Sequence, residues 1–248
     1  SHYQQRGNWP VRAEITQNLA RREAPRAATI LSIAAYDIPT EFPEEVVEQA
    51  RTQVPAEVKR TDLRDTPLIT IDPADARDHD DAVFAEALRD GFRVIVAIAD
   101  VAAFVTPESA LDREALKRGN STYFPDRVVP MLPFELSAEA CSLKEGQDRH
   151  CMAVEIEFDG SGTKRKHRFM RAIMRSAGAL SYEEAQQAID GQPSDRAAGL
   201  LETVLKPLWA AYTAVSQARS RRAPLELDLP ERKVEIATDG TVAGIRTK

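Results

Sequence analysis

Five carboxylates fall within ten residues, at Asp72, Asp75, Asp78, Asp80 and Asp81, and apolar runs flank them on both sides. Leu68-Ile69-Thr70-Ile71 leads in and Ala82-Val83-Phe84-Ala85 leads out, both with strand-like composition. Such a chain must pack two strands while holding a crowd of like charges where they meet. Carboxylates a few ångströms apart disfavour joint ionisation and raise one another's pKa values unless a cation neutralises them. A divalent cation resolves the repulsion, and hard carboxylate oxygens select Mg²⁺, with Mn²⁺ as the alternative, over zinc. That arrangement suits phosphoryl transfer, in which two ions about 3.5–4 Å apart activate a water and stabilise the departing oxygen. Arg77, inside the cluster, reads as a brace paired with a carboxylate in preference to a phosphate contact.

Spacing tests three other motifs. An EF-hand loop counted from Asp78 would need glycine where Val83 stands, so it fails. Asp78-His79-Asp80 has the DxD form of nucleotide-sugar transferases, a weak signal in one triplet. His79-Asp80 resembles the pair of metal phosphohydrolases, but these need further histidines, and only His2, His150 and His167 remain. A charged turn without metal is the plain alternative to all of them.

Around the cluster the chain reads as mixed α and β, without internal repeats. Ala28 to Ala34 looks strand-like, and Glu44 to Gln53 reads as a helix closed by Pro55. The apolar run Phe92 to Val101, after the Asp90-Gly91 turn, predicts a fully buried strand. Pro107 to Lys117 is helical, with Gly119 as its stop. Met152, Val154, Ile156 and Phe158 alternate with Ala153, Glu155 and Glu157, a half-buried strand, and a further strand runs around Phe169 to Met174. Ser181 and Glu184 form a capping-box pattern for a helix that Gly191 ends. Leu201, Leu205, Leu208, Tyr212 and Val215 recur at helical spacing over 195–220, where Pro207 should kink or split the helix. Lys233 to Ala237 and Thr241 to Ile245 flank Asp239-Gly240 as a hairpin.

The formal net charge of −6 weighs mildly against a nucleic-acid partner, but distribution matters more than the sum. Lys164, Arg165, Lys166, Arg168, Arg171 and Arg175 crowd one stretch, and Arg219, Arg221 and Arg222 a second. On charge alone both read as solvated faces. Cys141 and Cys151 make no CxxC and no zinc pattern. They read as buried free thiols of a reducing compartment, hence the cytoplasm. No apolar run approaches the ~18 residues that span a bilayer.

The stretch ITIDPADARDHDDAV resembles the signature of the ribonuclease II/ribonuclease R family, commonly TIDxxDARDxDDA. VAIADVAAFV (96–105), GNSTYFPDRVVPMLP (119–133), LSAEACSL (136–143), MRSAGALSYEEA (174–185) and LELDLPERKVEI (225–236) continue the match in the family's order. The resemblance spans 28–248 and implies an α+β fold, a mixed sheet with packed helices, forming the N-terminal part of the family's RNB catalytic domain. Residues 1–27 are then a tag and the remnant of a preceding cold-shock-type barrel or linker.

What the resemblance implies for function is a processive 3′→5′ exoribonuclease that releases nucleoside 5′-monophosphates from single-stranded RNA 3′ ends. Asp72, Asp78, Asp80 and Asp81 match its four acidic positions, Asp72 and Asp81 as direct metal ligands, Asp78 and Asp80 helping to hold a second ion and the attacking water. Tyr123 matches an aromatic on which the terminal base stacks, an interaction of about 1–3 kcal/mol that tolerates any base. No membrane is implied, and although the sequence does not give the oligomeric state, a monomer is the expectation for the complete protein.

Departures qualify this reading. Ala102 and Ala103 replace a polar pair common in the family, and Leu227 falls near a position where relatives carry a clamping phenylalanine. The family's phosphate-contacting arginine motif and S1 barrel would lie beyond Lys248, so residues 1–248 alone are expected to be weakly active or inactive. GNSTYFPDRVVPMLP and LDLPERKVEI lean towards the ribonuclease R side. A non-catalytic RNA-binding relative of the same fold is the alternative from another class, and a DxD transferase a distant third.

Overall fold

A computed structural model describes residues 27–225, 229–230 and 232–247. It separates into two compact units. The larger comprises residues 41–121 and 130–228, the smaller residues 1–40, 122–129 and 229–248.

In chain order the elements are α1 (Ala27–Ala35), α2 (Glu44–Thr52), β1 (Thr61–Leu63), β2 (Ile69–Asp72), β3 (Asp81–Leu88), β4 (Gly91–Ala99), α3 (Ala110–Arg118), β5 (Thr122–Tyr123) and β6 (Val128–Val129). There follow β7 (Asp148–Phe158), β8 (Lys164–Arg175), β9 (Gly178–Ser181), α4 (Tyr182–Ile189), α5 (Asp195–Leu200), α6 (Lys206–Ser220), β10 (Arg232–Ile236) and β11 (Val242–Thr247). The larger unit is built on one seven-stranded sheet in the order β1-β8-β7-β4-β3-β2-β9. Its outer pairs β1–β8 and β2–β9 are parallel, and the strands between them run antiparallel. The mixed α+β expectation is met.

The sheet's packed face is lined with small residues. Ala82, Ala97 and Ala153 lie in register across β3, β4 and β7 and are all but fully buried. Leu68, Ile69, Ile95, Leu111, Leu136, Leu143 and Met174 fill the same core. Arg60 Nη1 lies 2.8 Å from Asp100 Oδ2, with the side chains only 7% and 2% exposed. That pair ties the residue before β1 to the residue after β4.

Several local signals behave as their chemistry dictates. Ser181 accepts from the Glu184 amide while Glu184 returns a bond to the Ser181 amide, completing the capping box of α4. Ser109 caps α3, and Gly119 ends it at φ 78°, a left-handed position favouring glycine. Pro207 splits its helix. α5 gives way to a π-helical turn at Leu201–Leu205, and α6 resumes with the proline in its first turn, where the missing N–H costs nothing.

Three expectations are corrected. Ala28 to Ala34 is not a strand but lies within helix α1. A short apolar run carries no period to separate strand from helix, and four alanines among its nine residues favour the helix. Strand β4 is not buried throughout. Ile95, Ala97 and Ala99 point into the core, while Ile98 on the other face is 48% exposed. In β7 the period holds but the deepest residues are Cys151 and Ala153, whereas Met152 is 38% exposed. Alternation reveals that two faces differ, not which of them packs.

Of the smaller unit, α1, the two-residue ribbon β5–β6 and the hairpin β10–β11 are described. Thr29 Oγ1 donates to Asp126 Oδ1 at 2.7 Å, joining α1 to the ribbon's turn. The expected hairpin around Asp239-Gly240 is present, its strands at Arg232–Ile236 and Val242–Thr247 lying within two residues of the predicted bounds. Leu227 and residues 1–26 lie outside the described residues.

Candidate active site

The aspartate loop runs from the end of β2 to the start of β3. Asp72 is the last residue of β2, in parallel register with Ser181 of β9, and Asp81 is the first of β3, opposite Ile98 of β4. Main-chain bonds hold the loop between them. Ala99 N–H donates to the Asp80 carbonyl at 2.8 Å, and Leu143 N–H donates to the His79 carbonyl at 2.8 Å. The His79 amide in turn donates to Ser142 Oγ at 3.0 Å. Ser142 and Leu143 are completely buried, so the loop is fastened to the core of the larger unit.

The carboxylates feel one another. Burial pushes the Asp80 carboxyl above the ordinary aspartate range, and the charges of Asp78, Asp81 and Asp72 push it further, with His79 acting the other way. Asp81 is raised by burial and then by Asp72. The loop thus brings all four predicted aspartates within electrostatic reach. It does not gather them into a finished cage. Among the described residues no three His, Cys, Asp or Glu side chains converge closely enough to ligate one ion as they stand. The donor set is chemically suited to a hard divalent cation, since every predicted ligand is a carboxylate and a cation would cancel the charges that add to burial in raising Asp80 and Asp81.

A cavity of about 700 Å³ opens beside the loop, lined by Asp72, Arg77, His79, Phe134, Lys144 and Ser181 among others. That volume is in the range of small-molecule and nucleotide sites. Arg77 lines it without an ion pair to any described residue, so the expected brace against a carboxylate is not found among the described residues. Asp72 has the partner instead. His79 Nδ1 lies 2.7 Å from Asp72 Oδ2, a contact that the sequence reading missed because Asp-His-Asp drew attention to the aspartates alone.

Register also defines a wider surface. Asp81, Ile98, Met152 and Arg171 are paired in succession across β3, β4, β7 and β8, and directly opposed residues share a face of a sheet. Next to Arg171 on that face stands Phe169, 69% exposed and edge-on to the His167 ring. The basic stretch is mostly neutralised. Arg165, Lys166, Arg168 and Arg175 pair with Asp90, Glu157, Glu155 and Asp148, leaving Lys164 and Arg171 as its cations without an ion pair to a described residue. In the second stretch Arg221 donates to the Ser161 carbonyl at 2.6 Å. Tyr123 belongs to the smaller unit, its side chain 71% exposed at the end of β5. Ala102 is exposed and Ala103 buried in a 3-10 turn after β4. Both cysteines are buried free thiols, as expected.

Comparison with known proteins places these features in a family. Residues 60–248 match the RNB domain. Ribonuclease R of Acidithiobacillus ferrooxidans is 44% identical over 86% of this chain and 50% of its own length. Ribonuclease R of Vibrio parahaemolyticus is 42% identical over 89% of this chain and 27% of its own. The chain therefore spans half or less of these relatives. Among solved structures, Mycoplasma genitalium RNase R in complex with double-stranded RNA superposes with a TM-score of 0.87 at 26% identity, covering 93% of this chain and 42% of that one.

Proposed function

The chain belongs to the RNB-domain family of exoribonucleases, and from that premise we propose that it carries the acidic half of the catalytic centre of a hydrolytic 3′→5′ exoribonuclease acting on single-stranded RNA. The observation that carries the reading is the loop 72–81. Asp80 and Asp81 there feel the charges of their neighbouring aspartates, the loop is fastened by its backbone to a buried segment, and Asp72 lines a cavity of about 700 Å³ together with Arg77, which has no ion pair to a described residue.

Asp72, Asp78, Asp80 and Asp81 are the residues that would hold Mg²⁺, or Mn²⁺ in its place. When bound there, a pair of such ions would activate water and stabilise negative charge on the departing oxygen. The chain's own residues bind and orient. Arg77 meets a phosphate oxygen, and Phe169 and Arg171, on the face shared with Asp81, offer a stacking ring and a phosphate contact to the strand behind it. Tyr123 stacks a base. Water adds to the terminal phosphorus, the bond to the preceding nucleotide's O3′ breaks, and a nucleoside 5′-monophosphate leaves while the shortened RNA regains a 3′-hydroxyl. Repetition of that cycle without release makes the process processive. The buried thiols support a reducing, cytoplasmic setting, and no helix among the described residues is long and apolar enough to cross a membrane.

Replacing Asp80 with Asn in the complete protein should abolish release of mononucleotides from 3′-extended single-stranded RNA while leaving RNA affinity nearly unchanged. Undiminished hydrolysis by that variant would remove Asp80 from the chemistry. The open arrangement of the carboxylates favours one rival, an RNA-binding relative without turnover. The unaltered protein would then form stable complexes with the same RNA in Mg²⁺ and release no mononucleotide.

A further inference from the structure

We propose that His79 is a positioning residue that fixes Asp72 as the rigid member of the metal-binding set. The inference rests on the reading of Asp72 as a metal ligand. The family signature leaves the position of His79 open, so the assignment is drawn from this chain's own geometry.

Two features set His79 apart. Its main chain is held on both sides, with the amide donating to Ser142 Oγ at 3.0 Å and the carbonyl accepting from Leu143 N–H at 2.8 Å. Both partners are fully buried, so the backbone from which the imidazole projects has little freedom. The ring then meets Asp72 Oδ2 through Nδ1 at 2.7 Å, and the two side chains are 21% and 14% exposed. An ionised carboxylate can only accept, so Nδ1 carries the hydrogen and donates it. A charge-assisted bond of that length holds one carboxylate oxygen in place, and the second oxygen remains for a cation.

Among the described residues, the side chains of Asp78, Asp80 and Asp81 have no such partner, and only Asp72 is fixed. A cation arriving at the loop would thus find one oriented ligand and three adaptable ones. Hydrogen-bond partners of ligating side chains typically contribute about 10–100-fold to metal affinity. Loss of the imidazole should free Asp72 to rotate and weaken the site by an amount in that range. The opposite logic makes the contrary prediction. If His79 merely occupied Asp72 in place of a cation, its removal would tighten binding.

The test is titration of the 248-residue protein with Mn²⁺, following the free ion by electron paramagnetic resonance, for the unaltered chain and for H79A, H79N and D72N. Asparagine presents its amide nitrogen about where Nδ1 stands and can still donate to Asp72. Circular dichroism establishes that each variant is folded. The expected result is binding weakened tenfold or more in H79A, restored to within about threefold in H79N and lost in D72N. Unchanged or tighter binding by H79A, with D72N still defective, overturns the role of His79 and leaves the metal site standing. Equal weakening in H79A and H79N also overturns it, because donation to Asp72 would not be the cause. Absence of saturable Mn²⁺ binding in the unaltered chain would remove the metal reading and this inference together.

Discussion

Replacing Asp100 with Asn should destabilise the larger unit severely, because it strands a buried guanidinium. Arg60 Nη1 sits 2.8 Å from Asp100 Oδ2 with both side chains almost wholly out of water. The other supports of Arg60 are slight. Nη1 reaches the Ala172 carbonyl only at 3.4 Å, and Nη2 has no hydrogen-bond partner. Removing one partner of a buried pair typically costs about 3–5 kcal/mol, against roughly 0–1 for a surface pair. At about 2–4 °C per kcal/mol for a domain of this size, D100N should melt roughly 6–20 °C lower. Because the pair's hydrogen bonding is incomplete, swapping both residues for apolar ones of similar volume, R60M with D100L, should recover most of the loss. Urea unfolding followed by circular dichroism, applied to both singles and the double, isolates the coupling. A loss below about 1 kcal/mol in D100N would show that water reaches the pair. A double variant as unstable as D100N would show that shape, not charge, is what matters there.

Other expectations follow from the same geometry. Asp80 and Asp81 have raised pKa values in the fold, so the unfolded chain ionises them first. Their contribution to stability is therefore greatest below the ordinary value of 3.8 and is lost as pH rises through the raised folded values. D80N should accordingly melt higher than the unaltered protein at pH 7, the gap closing on acidification and on addition of Mg²⁺; a gap that persists at pH 3 would contradict this. Gly162 has φ +80°, and a Cβ there would lie 2.1 Å from the Ala214 carbonyl oxygen in α6. G162A should thus loosen α6 and speed its hydrogen exchange, whereas unchanged protection would exclude the close approach. Burial pushes the Cys141 and Cys151 thiols up to about 12, so neither should react with a disulfide reagent at pH 8 until the protein is unfolded.

How much could be read from sequence depended on whether the relevant pattern was local. The aspartate loop was legible because its charges and its flanking strands are consecutive, and the capping box at Ser181–Glu184 for the same reason. Pro207 announced a split helix through its own stereochemistry. Helix α1 was misread because seven of its nine residues are apolar and Thr29 and Ser32 alone do not make a polar face that sets a period. The side of β7 that packs was hidden because it depends on what lies above the sheet. Contacts that join distant segments were invisible altogether. His79 meets Ser142 across 63 residues of sequence, and Arg60 meets Asp100 across two strands. LSAEACSL attracted notice as a family match, yet nothing in its composition said that Ser142 would buttress the acidic loop. Tyr123 is exposed, which leaves its proposed stacking role untested, and Leu227 lies outside the described residues.

The acidic loop separates anchorage from chemistry. Its position is set by main-chain bonds from Ala99 and Leu143 and by Ser142, all outside the loop. The side chains of Asp78, Asp80 and Asp81 contribute nothing to that fastening, and their charges oppose it. A loop kept only for its shape would gain stability by losing such carboxylates, since replacing a repelling charge by a neutral isostere removes a cost without removing a contact. Their retention is understandable where a cation and a phosphodiester are to be received, because the repulsion that weakens the empty loop is then converted into attraction. The same reasoning bears on the proposed nuclease and its rival, a silent RNA binder. A binder would have use for Phe169, Arg171 and Arg77, whereas the carboxylates of Asp78, Asp80 and Asp81, without a partner among the described residues, would repel the phosphates it held.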